Sequence, residues 1–239
     1  MGKPLEQWKV LPHGKLVEVD ENILSVVGQI HMPLVDFPRR MTIVRLKDRR
    51  LIVFNAIALD EDEMLALEGY GHMAFLIVPN DHHRLDAPVW KQRYPYMEVV
   101  TPEGARKKVA EVVAVDTSMP QFGDENVHFV TVPGTHDREA ALLVHGPHGS
   151  TLVLNDIVGN IRHASGFEGW FLRMLGFAGD EANVPTPVKL TLHGGKEALR
   201  KQLLQWADLA TLKRILVSHG EPITERPDEV LRDLAASLE

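Results

Sequence analysis

Side chains that can bind a metal follow apolar stretches at three places in this sequence. Segment 80–86 reads NDHHRLD, so it holds two imidazoles and two carboxylates directly after the apolar run 73–78. Asp156 and His219 each stand two residues beyond the end of another apolar run. The chain has no cysteine, and neutral imidazole and carboxylate are the ligands that suit zinc, iron or manganese without thiolates. This pattern predicts a metal or acid–base site where several strands end.

Each of the three places also has a structural interpretation. Asp86 is well placed to cap a helix beginning at Ala87. Asp156 could be a turn-forming residue whose carboxylate bonds its own backbone, and His219 could be a structural histidine. The order of the three groups along the chain, each after an apolar strand, favours a shared site over three unrelated features.

The elements that would position these residues follow from apolar periodicity and from helix and turn signals. We predict strands at 16–19, 23–30, 41–46, 51–57, 73–78, 99–100, 111–115, 127–132, 140–145, 150–154 and 214–217. We predict helical segments at 60–67, 87–93, 103–108, 167–175, 196–209 and 228–238, and a loop at 182–187. The alternation between 51 and 115 is typical of parallel βαβ units.

One predicted helix has an unusually apolar stripe. Segment 167–175 places Phe167, Trp170, Phe171, Met174 and Leu175 at helical spacing. A stripe of this kind predicts a helix face packed in the core.

Composition limits the function classes. The chain of 239 residues has 44% apolar residues and a formal net charge of -7. The acidic balance argues against a nucleic-acid partner, which needs a basic footprint. No apolar run reaches the ~20 residues that a membrane span requires, and we see no signal peptide. We therefore expect one cytoplasmic domain over residues 1–239, with no membrane partner and an oligomeric state that the sequence does not specify.

Two segments resemble the metal-binding motifs of the metallo-β-lactamase superfamily. Thr151 to Asp156 is similar to the strand that carries an Asp ligand, and Ser218-His219-Gly220 is similar to the terminal His segment. The resemblance covers the chain from about Met41 to Gly220 and implies an α/β fold, the four-layer αββα sandwich. The HxHxDH motif of that superfamily is altered here, because Asn80 and His82 fall on its first two histidines while Arg84 and Leu85 replace its Asp and third His. His136, in Gly134-Thr135-His136, is displaced by one residue from the G-H-[TS] segment.

A second resemblance is to a little-studied branch of the superfamily, grouped as a domain of unknown function. It is carried by Asn80, His83, Arg84 and Asp86, by Glu139, and by Asn155-Asp156. This resemblance implies the sandwich fold, brings no assigned reaction, and favours His83 over His82 as a ligand.

These resemblances imply at most one divalent metal ion, zinc, iron or manganese. Its ligands would be His83 or His82 with Asp156 and His219, joined by Asp86 in one version of the site. Asn80 or Arg84 would bind the oxyanion of a small-molecule substrate. The function implied is hydrolysis of a small ester, amide, thioester or phosphoester. The alternative is a metal-free protein of the same fold, with a binding or structural role.

Overall fold

Two stacked β-sheets form the centre of the protein. The computed structural model describes residues 3–32, 35–163, 166–192 and 194–239. In the first sheet the six strands lie side by side in chain order: β1 (Val17–Asp20), β2 (Ile23–Met32), β3 (Val35–Arg45), β4 (Arg50–Phe54), β5 (His72–Ile77) and β6 (Glu98–Val100). Strands β1 to β4 are antiparallel, whereas β4, β5 and β6 are parallel. The parallel half matches the βαβ units predicted from the sequence.

The second sheet has the order β10-β9-β8-β7. Its strands are β7 (Val127–Thr131), β8 (Ala140–Gly146), β9 (Gly149–Asn160) and β10 (Leu212–Gly220). Strands β7, β8 and β9 are antiparallel, and β10 lies parallel to β9. Gly146 pairs with Gly149, so the sequence Pro147-His148 forms a two-residue hairpin turn.

Helices cover the outer face of each sheet. They are α1 (Glu61–Tyr70), α2 (Ala87–Arg93), α3 (Glu103–Val109), α4 (Gly166–Met174), α5 (Thr186–Thr191), α6 (Lys196–Ala207) and α7 (Pro227–Ala236). Apolar residues of α1, α2 and α3 pack on the first sheet, and those of α6 and α7 pack on the second. A third apolar cluster fills the space between the sheets. This arrangement is the αββα sandwich predicted from the sequence.

Two predicted elements are wrong. Segment 111–115 is a turn, because Val112 and Val113 both donate to the carbonyl of Val109 as α3 ends. Valine favours strands, which is why the sequence predicts one here, but Val113 is buried by packing against the core on the helix-covered side of the first sheet. The predicted loop 182–187 contains the start of α5, where Pro187 fits the first helical turn.

The predicted burial of the α4 stripe is also wrong in part. Phe167, Trp170 and Met174 are 62%, 57% and 52% exposed. Leu172 is buried, and Phe171 packs partly against the same cluster. The helix is apolar on two faces, and only one of them meets the body of the protein.

A cluster of three charged side chains, Asp20, His148 and Arg214, joins the two sheets at the end away from His219 and is called the charged clasp below. The Asp20 carboxylate accepts from His148 Nδ1 at 2.8 Å and from Arg214 at 3.0 Å. Burial raises the pKa of Asp20. This effect is outweighed by hydrogen bonds from His148, the Glu21 N–H and Arg214, so the pKa of Asp20 is lowered overall. The hydrogen bond to Asp20 raises the pKa of His148.

Because of this clasp, the difference in stability between the parent protein and His148→Ala should depend on pH. The His148 contribution is complete below the unfolded histidine pKa of about 6.5 and is lost as pH rises through the higher folded value. The Asp20 contribution is present above its unfolded pKa of about 3.9 and is lost as pH falls through the folded value. Denaturant unfolding should therefore show His148→Ala less stable than the parent near pH 5.5, with the gap closing above about pH 8. His72→Ala, at an exposed histidine of β5, is the control, and an equal gap at all pH values would contradict the clasp.

Candidate metal centre

Three predicted ligands converge at one end of the sandwich. Asp156 Oδ1 lies 2.9 Å from His83 Nε2 and 3.0 Å from His219 Nε2, and the two Nε2 atoms are 3.1 Å apart. All three side chains are largely buried. Among the described residues, no other group of three or more His, Asp or Glu side chains converges closely enough to hold a metal ion.

The two predicted ligands of the second sheet, Asp156 and His219, are placed by a parallel strand pair. Strand β9 continues past Leu154, where the sequence predicted its end, and carries Asp156 within it. The register of β10 against β9 shifts between Val217 and His219, so that His219 pairs with Gly159. Gly220 follows with φ 116°, and a Cβ there would lie 2.1 Å from the carbonyl oxygen of Asn160. Only glycine lets the chain turn so closely after the His ligand.

Asn80 sets the position of His83. Its Oδ1 accepts the backbone N–H groups of His82 at 2.8 Å and His83 at 2.9 Å, which turns the chain as β5 ends. Its Nδ2 donates one N–H to Asp156 Oδ2 at 2.7 Å and the other to Glu139 Oε1. Asn80 is buried, and both its amide oxygen and its amide nitrogen are engaged by protein groups.

The hydrogen bond to Asn55 fixes the tautomer of His83. Asn55 Nδ2 donates to the carbonyl oxygen of Arg40 at 2.8 Å, which leaves Oδ1 to face His83 Nδ1 at 2.8 Å. An amide oxygen can only accept, so the proton of a neutral His83 lies on Nδ1. The Nε2 lone pair then points at Asp156 and His219.

His219 is held in the same way by a backbone group. Its Nδ1 lies 2.7 Å from the carbonyl oxygen of Pro38, which can only accept a hydrogen bond. Its ring lies against Phe37 and Phe177, with centroids 4.4 Å and 5.5 Å away. The neutral ring therefore also presents an unprotonated Nε2 to the centre.

Burial and charge set the protonation of the surrounding groups. Burial lowers the pKa of His83, which favours the neutral imidazole. Burial opposes ionisation of Asp156, but positive charge on the adjacent His83 or His219 holds its pKa well below the usual range, and a cation bound among the three groups would act in the same direction. Burial, reinforced by the charge of Asp156, raises the pKa of Glu139 well above its ordinary value. Asn80 thus bridges two carboxyl groups whose pKa values are shifted in opposite directions.

The structure places the other predicted site residues outside the three-residue centre. The His82 side chain is 58% exposed, with Nε2 3.6 Å from Asp81 Oδ1. Asp86 is buried in an ion pair with Arg39 and accepts the backbone N–H of Ala58 at 2.9 Å. Although Asp86 stands just before α2, its side chain makes no capping bond to that helix.

Arg84 and His136 also bond elsewhere. The Arg84 guanidinium donates to the carbonyl oxygen of Lys108 and to Glu111 on the surface. His136 adopts a left-handed backbone, and its Nε2 lies 3.2 Å from the carbonyl oxygen of Thr191 on α5. Neither side chain contributes to the convergent set.

Asn55 is the functional residue that sequence reasoning missed. It follows β4 with φ 59°, a conformation that asparagine tolerates better than most residues. An asparagine that interrupts the apolar run 51–57 was the available signal. Its contact with His83 spans 28 residues of sequence, so spacing alone did not connect the two.

Removing the Asn55 side chain should weaken metal binding. Asn55→Gly keeps the left-handed backbone unstrained and deletes the acceptor of the His83 Nδ1–H. We expect the metal dissociation constant to rise roughly ten- to a hundredfold, as for other groups that orient histidine ligands. Competition against a fluorescent chelator measures this change. Asn55→Asp keeps an acceptor and should retain most of the affinity, and unchanged binding in Asn55→Gly would contradict the assignment.

The donor set fits a single metal ion. Two neutral imidazoles and one ionised carboxylate are a common three-ligand set for catalytic zinc, with a fourth position for water or substrate. Tetrahedral zinc bonds of about 2.1 Å would separate the ligand atoms by about 3.4 Å. The observed separations are 2.9 to 3.1 Å, so the three atoms would move apart by a few tenths of an ångström when a metal ion binds.

Comparison with known proteins identifies the fold. FIM-1 from Pseudomonas aeruginosa, a metallo-β-lactamase in its mono-zinc form, matches with a TM-score of 0.56 at 12% identity, over 96% of this chain and 97% of that one. A metallo-β-lactamase from Pontibacter korlensis gives a TM-score of 0.60 at 11% identity, covering 93% and 98% of the two chains. The metallo-β-lactamase from Erythrobacter litoralis gives 0.58 at 10% identity, covering 93% and 96%. No protein-family model and no curated protein matches the sequence. The chain thus has the predicted metallo-β-lactamase-like fold.

Proposed function

We propose that this chain, with its metallo-β-lactamase-like fold, is a hydrolase dependent on one divalent metal ion. The ligands are His83, Asp156 and His219, and the substrate is a small ester, amide, thioester or phosphoester. The metal is zinc, iron or manganese, the ions suited to imidazole and carboxylate ligands.

The observation that carries the proposal is the convergence of three lone pairs. Because Asn55 and Pro38 accept the Nδ1–H groups, both neutral imidazoles direct lone pairs toward an ionised carboxylate oxygen. Three acceptors within 3.1 Å of one another repel unless a cation lies among them. A metal ion satisfies all three at once, and the mono-zinc form of FIM-1 is an example of this fold with one metal.

A bound metal would lower the pKa of a water molecule to about 7 and polarise the scissile group. In the hydrolysis of an ester, the water oxygen bonds to the carbonyl carbon, the bond to the leaving oxygen breaks, and that oxygen takes a proton. Asn80 holds Asp156 Oδ2, which leaves Oδ1 for the metal. Phe37 and Phe177 cover one side of His219 and exclude water there. Asn80 and Arg84 both bond protein groups in the structure, and their role in binding the substrate oxyanion stays a prediction.

A chelator and reconstitution series tests this function. The parent protein should hydrolyse at least one member of a panel of nitrophenyl esters, thioesters and phosphodiesters. Chelation should abolish the activity, and stoichiometric zinc, iron(II) or manganese should restore it. His219→Ala should remain inactive under all conditions, while His136→Ala, a histidine outside the centre, should behave like the parent. Activity that survives chelation would contradict the proposal.

The metal-free alternative predicts a different response to chelation. A proton on one imidazole, donated to Asp156, would also hold the three side chains together. In that case chelation leaves the melting temperature unchanged, whereas a bound metal at 100 times its dissociation constant stabilises by about 2.7 kcal/mol.

None of the described helices is long and apolar enough to span a membrane.

A further inference from the structure

Arg40 is a buried cation that joins the two sheets beside His219. It lies on β3, and its side chain belongs to a residue that is only 8% exposed. Its Nε donates to the carbonyl oxygen of Val217 at 3.1 Å and its Nη2 donates to that of Gly220 at 2.8 Å, both on β10. Its Nη1 donates to Ser25 Oγ on β2 at 2.9 Å. The guanidinium is therefore held between strands of the first sheet and β10 of the second.

The partners of the Arg40 guanidinium are all neutral oxygen atoms. Within the ranges that the structure describes, no carboxylate forms an ion pair with it, whereas the neighbouring Arg39 is paired with Asp86. Burial lowers the pKa of Arg40 to about 10, so the side chain stays protonated at neutral pH. Burying an unpaired cation costs free energy that an apolar side chain of similar size would avoid. The hydrogen bonds of Arg40 thus point to a role that an apolar residue could not fill.

The two carbonyl groups that Arg40 binds lie on either side of His219. Only Ser218 and His219 separate Val217 from Gly220, and the register of β10 against β9 shifts within this stretch. The Nε–H and one Nη2–H bond of a guanidinium point in parallel from one rigid edge. An edge that binds both carbonyl groups fixes the path of the chain between them. The position of the His219 ring follows from that path.

The backbone of Arg40 is connected to the other histidine. Its carbonyl oxygen accepts from Asn55 Nδ2 at 2.8 Å, and Asn55 Oδ1 faces His83 Nδ1 at 2.8 Å. Asn55 Nδ2 also lies 3.3 Å from the hydroxyl oxygen of Ser218, the residue before His219. One residue of β3 is therefore linked to both imidazoles, although they belong to different sheets.

We propose that Arg40 is a positioning residue for the metal centre, and that its guanidinium fixes the placement of His219 relative to His83. It makes no bond to either imidazole and acts through the carbonyl groups of Val217 and Gly220. The planar guanidinium is the required feature, since an ammonium group presents its donors from a single atom. This inference deepens the proposed function and rests on it for the ion that the two histidines bind.

Imidazole proton NMR of the metal-free protein tests the positioning role without catalysis. The Nδ1–H of His219 is the reporter, because it donates to the carbonyl oxygen of Pro38 and its signal is identified by its loss in His219→Ala. In Arg40→Met this signal should shift, and its exchange with solvent should be roughly tenfold faster or more. The reason is that the segment carrying His219 loses two hydrogen bonds from a charged donor.

Arg214→Met is the matched control. Arg214 also joins β10 to the first sheet, through the carbonyl oxygen of Val19 and the carboxylate of Asp20, but at the opposite end. This variant should lose stability in denaturant unfolding, as Arg40→Met does, while its His219 signal stays as in the parent. Arg40→Lys keeps the charge without the planar guanidinium and should resemble Arg40→Met. It carries the test if Arg40→Met does not fold.

Zinc affinity is the second readout, measured by competition against a fluorescent chelator. The dissociation constant should rise roughly ten- to a hundredfold in Arg40→Met and in Arg40→Lys, as for other groups that orient histidine ligands. Arg214→Met should bind zinc as the parent does.

Three outcomes would overturn the role of Arg40. These are a His219 signal that Arg40→Met leaves unchanged, equal changes in Arg40→Met and Arg214→Met, and parent-like behaviour of Arg40→Lys. The two proposals fail separately. A parent protein that binds no metal, but whose His219 signal depends on Arg40, would contradict only the hydrolase. Metal-dependent hydrolysis with an unchanged His219 signal in Arg40→Met would contradict only the positioning role.

Discussion

Asp156→Ala should abolish stoichiometric metal binding and destabilise the protein even without metal. The carboxylate holds one of the three proposed ligand atoms and also accepts from Asn80. Its removal leaves two buried imidazoles and an amide N–H without their partner. Breaking a buried charged network of this kind costs about 3 kcal/mol or more.

Two measurements separate these effects. Elemental analysis reports the metal, and denaturant unfolding in the presence of chelator reports the metal-independent loss of stability. Asp156→Asn is the matched variant: it keeps the volume of the side chain, so it should lose the metal with a smaller loss of stability. Stoichiometric metal in Asp156→Ala would contradict the assigned ligand set.

Asn80→Ala should also strongly lower the stability of the protein. The Asn80 amide accepts two backbone N–H groups and donates to the carboxyl groups of Asp156 and Glu139. Without it, two buried carboxyl groups lose their bridge and the turn that places His83 loosens. We expect a loss of roughly 3 kcal/mol in unfolding free energy, because several buried polar groups lose partners together. Metal affinity should fall as well.

Asn183→Ala is the control for this substitution. The Asn183 side chain makes one hydrogen bond, to the carbonyl oxygen of Glu181, and only the Asn183 backbone pairs with Gly159. Denaturant unfolding and metal titration are measured for both variants. They compare an asparagine whose side chain makes four hydrogen bonds with one whose side chain makes a single bond. Equal stability of Asn80→Ala and the parent would show that the bridge between the carboxyl groups has no energetic role.

The sequence predicted the layers of the fold and the convergence of Asp156 and His219. Short apolar runs rich in β-branched residues located the strands of both sheets, and the order of Asp156 and His219 along the chain pointed to a common edge. The choice between His82 and His83 could not be made from spacing alone. It depends on how Asn80 turns the chain, and that turn directs His83 inward and His82 toward solvent.

Other parts of the centre depend on contacts that residue spacing does not reveal. The partner of His219 is the carbonyl oxygen of Pro38, a backbone group 181 residues away. Asp86 was a reasonable ligand from its position, but its ion pair with Arg39 uses the carboxylate. The exposed face of α4 was missed because an apolar stripe predicts burial without specifying which face meets the body of the protein.

Metal content of the purified protein tests the central claim most directly. Protein prepared without chelator should contain one zinc, iron or manganese ion per chain by elemental analysis. His219→Ala should contain none, and His136→Ala should contain one. A parent protein without stoichiometric metal, after incubation with each of the three ions, would contradict the metal centre and favour a proton-bridged structural network at His83, Asp156 and His219.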